Sequence, residues 1–147
     1  MGLSEINLRE RKFHNQLHSF GGEDRTQQNK FYKALYSLQV DFLDSLKTKT
    51  KSKDVLDYGC GIGNFAEKVK SFQPKKIVAV DISEEAIKKA KKRSESENSN
   101  IEYRVENCEN LNLNSDTFDV VYGGGKLHHL SLNKSLNELN RVLKKNG

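Results

Sequence analysis

The stretch VLDYGCGIGNFA, residues 55–66, decides how this chain is read. It begins as the apolar strand DVLDY, empties into a loop with Gly59, Gly61 and Gly63 at alternate positions, and continues as the helix NFAEKVKSF. Glycines in that spacing let the backbone turn sharply and let a ligand approach without side-chain obstruction. Pro74 closes the neighbourhood of that helix, and KIVAVD (76–81) reads as a second strand. Ser83 with Glu84 and Glu85 then opens a helix, SEEAIKKAKKR, in capping style. Beyond the polar loop SESENSN come IEYRV (101–105) as a third strand and FDVVYG (118–123) as a fourth. A last helix runs through Leu132, Leu136, Leu139, Val142 and Leu143. Strands alternating with helices imply crossover connections, hence an α/β fold with a parallel sheet covered on both faces. Ligands in such sheets bind beyond the carboxyl ends of the strands, so the loops after Tyr58, Val80, Val105 and Tyr122 are the ones to examine.

Upstream, the pattern is helical throughout. Residues 5–18 form a polar helix with Leu8, Phe13 and Leu17 as candidate buried positions. GGEDRT (21–26) breaks it, with Asp24 or Thr26 placed to cap a second helix. In that helix Phe31, Leu35, Leu38, Phe42 and Leu46 recur at helical spacing. KTKTKSK (47–53) reads as a connector, dividing a helical lead (1–50) from an α/β domain (51–147). No internal repeat is visible.

Two acids mark the strand ends. Gly61-x-Gly63-x-x-Ala66 satisfies the dinucleotide fingerprint, which raises a nicotinamide-type oxidoreductase. Asp57 opposes it, because a pyrophosphate at this loop would meet a carboxylate, and like charges about 4 Å apart cost on the order of 1 kcal/mol even in water. S-adenosylmethionine (SAM) presents an ammonium and a sulfonium instead, and either accepts an acid. Asp57 also suits a second role, ordering the loop by accepting backbone N–H groups. Asp81, about 20 residues past the glycines, is placed to grip both ribose hydroxyls of an adenosine, a feature NAD and SAM share. Ile82 is placed to pack on an adenine face or in the core.

VLDYGCGIGNFA, IVAVDIS, ENCENLNLNSDTFDVV and LNELNRVLKKNG resemble, in order and spacing, the glycine loop, ribose loop, adenine loop and post-strand helix of class I SAM-dependent methyltransferases. The similarity runs from Val55 to the C-terminus and is strongest to the small-molecule branch, whose segment after the fourth strand GGGKLHHL also resembles. The resemblance implies a Rossmann-like sheet in the order 3-2-1-4 and SAM as cofactor. Gly59, Cys60 and Gly61 would line the methionine part, Asp81 the ribose and Ile82 the adenine. Asn107 stands where the family often has an Asp at the adenine amino group; its carbonyl oxygen still accepts, without charge assistance. Cys108 would bring its backbone N–H near the ring, and Gly123 and Gly124 would lie beside the reactive methyl group, although three successive glycines depart from the family pattern. Family members continue past RVLKKNG with a fifth strand and an antiparallel hairpin. The resemblance therefore implies an N-terminal part of that fold, with the fourth strand an exposed edge inviting self-association.

Methyl transfer from a sulfonium is an in-line displacement that mainly needs alignment and exclusion of water. A general base helps with a hydroxyl or protonated amine acceptor, and His128 and His129, after the fourth strand, lie at the correct end of the sheet. His14 on the leading helix is a weaker candidate that could fold over the site. The net charge is +5, from 25 Lys and Arg against 20 Asp and Glu, concentrated in KTKTKSK and KKAKKR. A nucleic-acid footprint would read those lysines functionally, as in an RNA methyltransferase, but aromatics are not interleaved with them and a solvated surface accounts for them. The fourth strand ends in GGGK, not in an NPPY-type loop, and neither Cys60 nor Cys108 follows it as a base-modifying nucleophile would. Two cysteines supply neither a disulfide framework nor a zinc site. No apolar run approaches the roughly 18 residues of a membrane span, and the N-terminus has charges where a signal peptide would be apolar. The expectation is a cytoplasmic enzyme with a small-molecule methyl acceptor and no metal.

Overall fold

Strand β1 (Asp54–Tyr58) owes its central position to apolar residues on both faces: Val55 and Leu56 are fully buried although they point to opposite sides. It pairs in parallel with β2 (Lys76–Asp81) on one side, Val55 opposite Ile77, and with β4 (Val120–Tyr122) on the other, Val55 opposite Val120. β3 (Glu102–Val105) joins β2 through Val78 opposite Glu102, so the sheet order is 3-2-1-4, as expected. The computed structural model describes residues 3–19, 30–123 and 130–147, with the side chains of 30–39 left aside. The expectations at Asp24, Thr26, Gly124, His128 and His129, and at the side chains of Phe31, Leu35 and Leu38, lie outside the described residues.

The period-two alternation of the strands sorts the core into two layers. Val55, Ile77, Ala79, Tyr103 and Tyr122 pack on one face with Leu43 and Leu46 of α2 (Lys30–Thr50), Ala66 and Val69 of α3 (Asn64–Lys70), and Ile87 and Ala90 of α4 (Glu84–Ser96). Leu56, Tyr58, Val78 and Val80 pack on the other with Cys108, Leu111, Phe118 and Val142, the last from α5 (Leu132–Val142). Fully burying such a side chain stabilises the fold by about 1.5–3 kcal/mol.

Three expectations need correction. The lysine-rich segment 47–53 is not all connector: α2 continues through Thr50, whose buried hydroxyl donates to the Leu46 carbonyl at 2.8 Å. Its exposed Lys47 and Lys49 complement the carbonyl end of the helix dipole. In α4, Lys88, Lys89, Lys91 and Lys92 form an exposed face, while Arg93 turns inward to Asn64 Oδ1 and the Ile62 carbonyl. Second, α1 (Glu5–Ser19) does not bury Leu8 and Phe13, which are 45% and 55% exposed. Its polar face is turned inward, with Asn7 only 2% exposed, because the surface beneath it consists of strand-end carboxylates and backbone donors. Asn15 Oδ1 accepts from the Ser83 hydroxyl at 2.7 Å and from Glu85 N at 3.3 Å, and the Lys89 ammonium donates to the His18 carbonyl. Third, β4 is an edge that begins to be covered. Phe118 N donates to the Val142 carbonyl and Lys144 N to the Phe118 carbonyl, a single parallel bridge between Phe118 and Leu143 on its outer side. The Lys144 ammonium secures that corner, 3.1 Å from Asp54 and 3.0 Å from Asp119.

Candidate functional site

The loop after β1 is held open by hydrogen bonds from its own backbone. Gly59 N and Cys60 N both donate to the Val80 carbonyl at the end of β2, at 2.9 and 2.8 Å. Gly61 N donates to Asp81 Oδ2 at 2.8 Å, and Ser83 N to Asp81 Oδ1 at 2.9 Å. One buried carboxylate thus ties the glycine loop to the start of α4, while Ser83 Oγ caps that helix by accepting from Ala86 N. Two glycines have distinct reasons. Gly61 has φ +55° with no atom within 4 Å of where a Cβ would stand, so the space beside it is open. Gly63 has φ +78°, and its Cβ would lie 2.4 Å from the Tyr103 hydroxyl, so close packing on β3 also demands glycine.

Asp57, one residue before the end of β1, is 3% exposed and accepts from the Tyr122 hydroxyl at 3.1 Å. Burial, then the Asp57 charge, pushes the Tyr122 phenol far up, so it stays a neutral donor. Burial, followed by the charges of Asp57 and Asp81, likewise pushes the Cys60 thiol up, so it stays protonated and offers no thiolate. Both acids therefore stand at the carboxyl ends of adjacent strands, on either side of the glycine loop. Gly123 follows β4 where a Cβ would meet the Tyr58 carbonyl at 2.5 Å, so glycine permits the two strand ends to approach.

The segment after β3, residues 106–113, is braced from two sides. Asn107 Oδ1 accepts from Glu109 N at 3.0 Å, closing a local turn, and the buried Tyr58 hydroxyl donates to the Cys108 carbonyl. From α5, Glu138 accepts from Leu111 N at 2.7 Å, while Arg141 donates to the Leu111 and Leu113 carbonyls at 3.0 and 2.7 Å and pairs with Glu138. Gly59, Asp81, Ile82, Asn107, Cys108 and Leu130 line a cavity of about 40 Å³ whose far wall is α1, through Asn7, Glu10 and His14. Of the expected cofactor residues, the structure brings Gly59, Asp81, Ile82, Asn107 and Cys108 together in one cavity, with Cys60, Gly61 and Gly63 in the adjoining loop and Asp57 in β1 before it. His14 does fold over the cleft, 3.8 Å from Glu10, on the side of Asp81 and Asn107. Sequence reading missed Asn7, Glu10, Tyr122, Glu109, Glu138 and Arg141. The first two had a legible signal: with His14 they form a polar stripe at helical spacing. The others are partners set by tertiary packing. Among the described residues no group of His, Cys, Asp and Glu could hold a metal ion.

A family model described as a methyltransferase domain matches residues 55–147. The chain belongs to the methyltransferase-domain family. Among curated relatives, an uncharacterised protein of Methanocaldococcus jannaschii is 36% identical over 121 residues, covering 81% of this chain and 44% of its own length. An uncharacterised methyltransferase of Schizosaccharomyces pombe is 29% identical over 108 residues, 74% of this chain and 41% of its own. A ubiquinone biosynthesis O-methyltransferase of Coxiella burnetii is 34% identical over 80 residues, 54% of this chain and 34% of its own. The chain thus spans about two fifths of the length of the first two of these relatives. Among solved structures, a protein of Pyrococcus horikoshii superposes with a TM-score of 0.68 at 30% identity, over 90% of this chain and 62% of its own. A [4+2]-cyclase superposes with a TM-score of 0.78 over 98% of this chain and 59% of its own, at 16% identity, and shares the fold. The methyltransferase domain is thus Rossmann-like, and no helix among the described residues is long and apolar enough to cross a membrane.

Proposed function

We propose that this chain binds SAM in the cleft between the β1, β2 and β3 ends and serves methyl transfer to a small-molecule acceptor. The observation that carries the reading is the pair of buried acids, Asp57 and Asp81, flanking a glycine loop that leaves open space at Gly61, within a methyltransferase domain. The donor set fits the group. Asp81 would hold the ribose, Gly59 to Gly61 the methionine part, and Ile82, Asn107 and Cys108 the adenine; a pyrophosphate would instead face Asp57. When bound, SAM supplies an electrophilic methyl group on a sulfonium. Tyr122 keeps Asp57 hydrogen-bonded as an acceptor, and Glu138 and Arg141 keep the adenine loop in place. The cavity at the Asp81 and Asn107 end, about 40 Å³, is far smaller than the ~300–1,000 Å³ of a usual ligand pocket, and α1, its far wall, is the element whose displacement would enlarge it.

The activity named for the Coxiella burnetii relative favours a small-molecule acceptor, whereas the cyclase shows that this fold also hosts other chemistry. No placement of a catalytic base supports this reading; His128 and His129 remain proposals from their position after β4. Calorimetry with SAM, S-adenosylhomocysteine and NAD tests it. SAM and S-adenosylhomocysteine should bind and NAD should not; tighter binding of NAD overturns the reading. Incubation with radiolabelled SAM and a fractionated extract then identifies the acceptor, and label in macromolecules alone refutes a small-molecule acceptor.

A further inference from the structure

We infer that Asn7, on the leading helix, reads the 6-amino group of the adenine ring through its Oδ1. The inference rests on the cleft being a SAM site. Asn7 is a carboxamide at 2% exposure on a helix whose neighbouring Ile6 and Leu8 are 57% and 45% exposed. Its Nδ2 donates to Glu109 Oε2 at 3.2 Å. A carboxylate only accepts, so the amide is oriented with its NH2 toward Glu109 and its oxygen away. That oxygen, Oδ1, is buried and has no hydrogen-bond partner among the described residues. A buried acceptor left unpaired is costly, and Asn7 lines the cavity, so a donor brought there by a ligand would relieve that cost.

The surroundings identify the donor. Asn7 lines the cavity with Gly59 and Asp81 as well as with Ile82, Asn107 and Cys108 of the adenine end. Asp81 is the acceptor for the ribose hydroxyls in this reading, which leaves the adenine amino group as the donor for Asn7. Asn107, the residue expected to meet the amino group, already accepts from Glu109 N through its Oδ1. An exocyclic amino group has two hydrogens, and a second acceptor on the opposite wall completes its recognition. Glu109 links the two walls. Its Oε1 accepts from Ser131 N at 2.7 Å while its Oε2 holds Asn7, so Asn7 is registered against the adenine loop itself and not merely against α1. With Ile82, Cys108 and Leu130 nearby, an apolar residue at position 7 would fill the same space if no polar ligand were to be met.

The test is calorimetry with two probes, S-adenosylhomocysteine and its 6-deamino analogue, in which purine riboside replaces adenosine. The wild-type chain should bind the analogue about tenfold or more weakly. Asn7→Leu should bind S-adenosylhomocysteine about tenfold more weakly than wild type while its affinity for the analogue stays at the wild-type value, so that discrimination falls about tenfold. Asn7→Ala gives the same comparison should the leucine variant not fold. Discrimination that is undiminished in both variants overturns the proposal while leaving the SAM site intact. A wild-type chain that binds neither probe overturns the SAM site itself, and the inference with it.

Discussion

Asp81→Ala separates what this carboxylate does for the fold from what it does for a ligand. In the folded chain it accepts two backbone hydrogen bonds, from Gly61 N at 2.8 Å and Ser83 N at 2.9 Å, at 6% exposure. Hydrogen bonds to a charged group contribute about 1.5–3 kcal/mol each. The two losses are not equal. Gly61 is half-buried and its N–H recovers water, whereas Ser83 is fully buried and its N–H is stranded. The ligand-free variant should therefore lose about 2–4 kcal/mol, which for a chain of this size lowers Tm by on the order of 10 °C. If the same carboxylate also grips the ribose, the affinity for S-adenosylhomocysteine falls a further ten- to hundredfold. Thermal unfolding without ligand, together with calorimetry well below the variant's Tm, measures the two separately. An unchanged Tm refutes the structural assignment. A lowered Tm with an unchanged dissociation constant refutes ribose binding, and places the hydroxyls against another acceptor.

Gly63→Ala should destabilise by about 2–4 kcal/mol in urea unfolding, since a left-handed backbone and a forced contact each cost about 1–2 kcal/mol. Adding Tyr103→Phe should not rescue it, because ring carbons of Tyr103, at 2.7 and 2.8 Å, obstruct the Cβ as the hydroxyl does; full rescue would assign the whole effect to the hydroxyl. The Arg141 hydrogen bond holds Glu138 below its ordinary 4.5, so its stabilisation is full above that pH and is lost as pH falls through the lower folded value. Urea midpoints measured from pH 6 downward should drop less for Glu138→Gln than for wild type below about 4.5, and parallel acid limbs would remove Glu138 from the account.

The sheet was legible because its signals are local. Val55, Leu56, Ile77 and Val78 alternate between two buried faces, glycines follow β1, and each central strand carries an acid at its carboxyl end, so periodicity and turn chemistry give element type, order and the position of the cleft. The illegible part depends on groups far apart in sequence. Nothing near Asp57 announces that Tyr122, from β4, will be its donor. Likewise, Glu138 and Arg141 look like an ordinary surface pair three residues apart until the 111–113 segment is laid across them. The lysine-rich end of α2 reads as a connector because its composition is that of a linker, while one threonine in it is fully buried.

The leading helix shows why amphipathic reading fails over a polar cleft. The rule that apolar side chains face inward assumes that the surface beneath a helix is apolar. Beneath α1 it is not. The strand ends present Asp81 and the turn at Asn107, and the start of α4 presents the Ser83 hydroxyl and Glu85 N–H. Covering these with Leu8 and Phe13 would strand donors and acceptors, at about 1–3 kcal/mol each. Asn7, Glu10, His14 and Asn15 satisfy or face them instead, and the apolar residues are left outside at a smaller cost. An element attached through polar contacts also detaches more readily than one seated in a core, since water replaces each bond it gives up. The same inversion that made α1 unreadable as a core helix thus leaves it attached over the strand ends by contacts that water can replace.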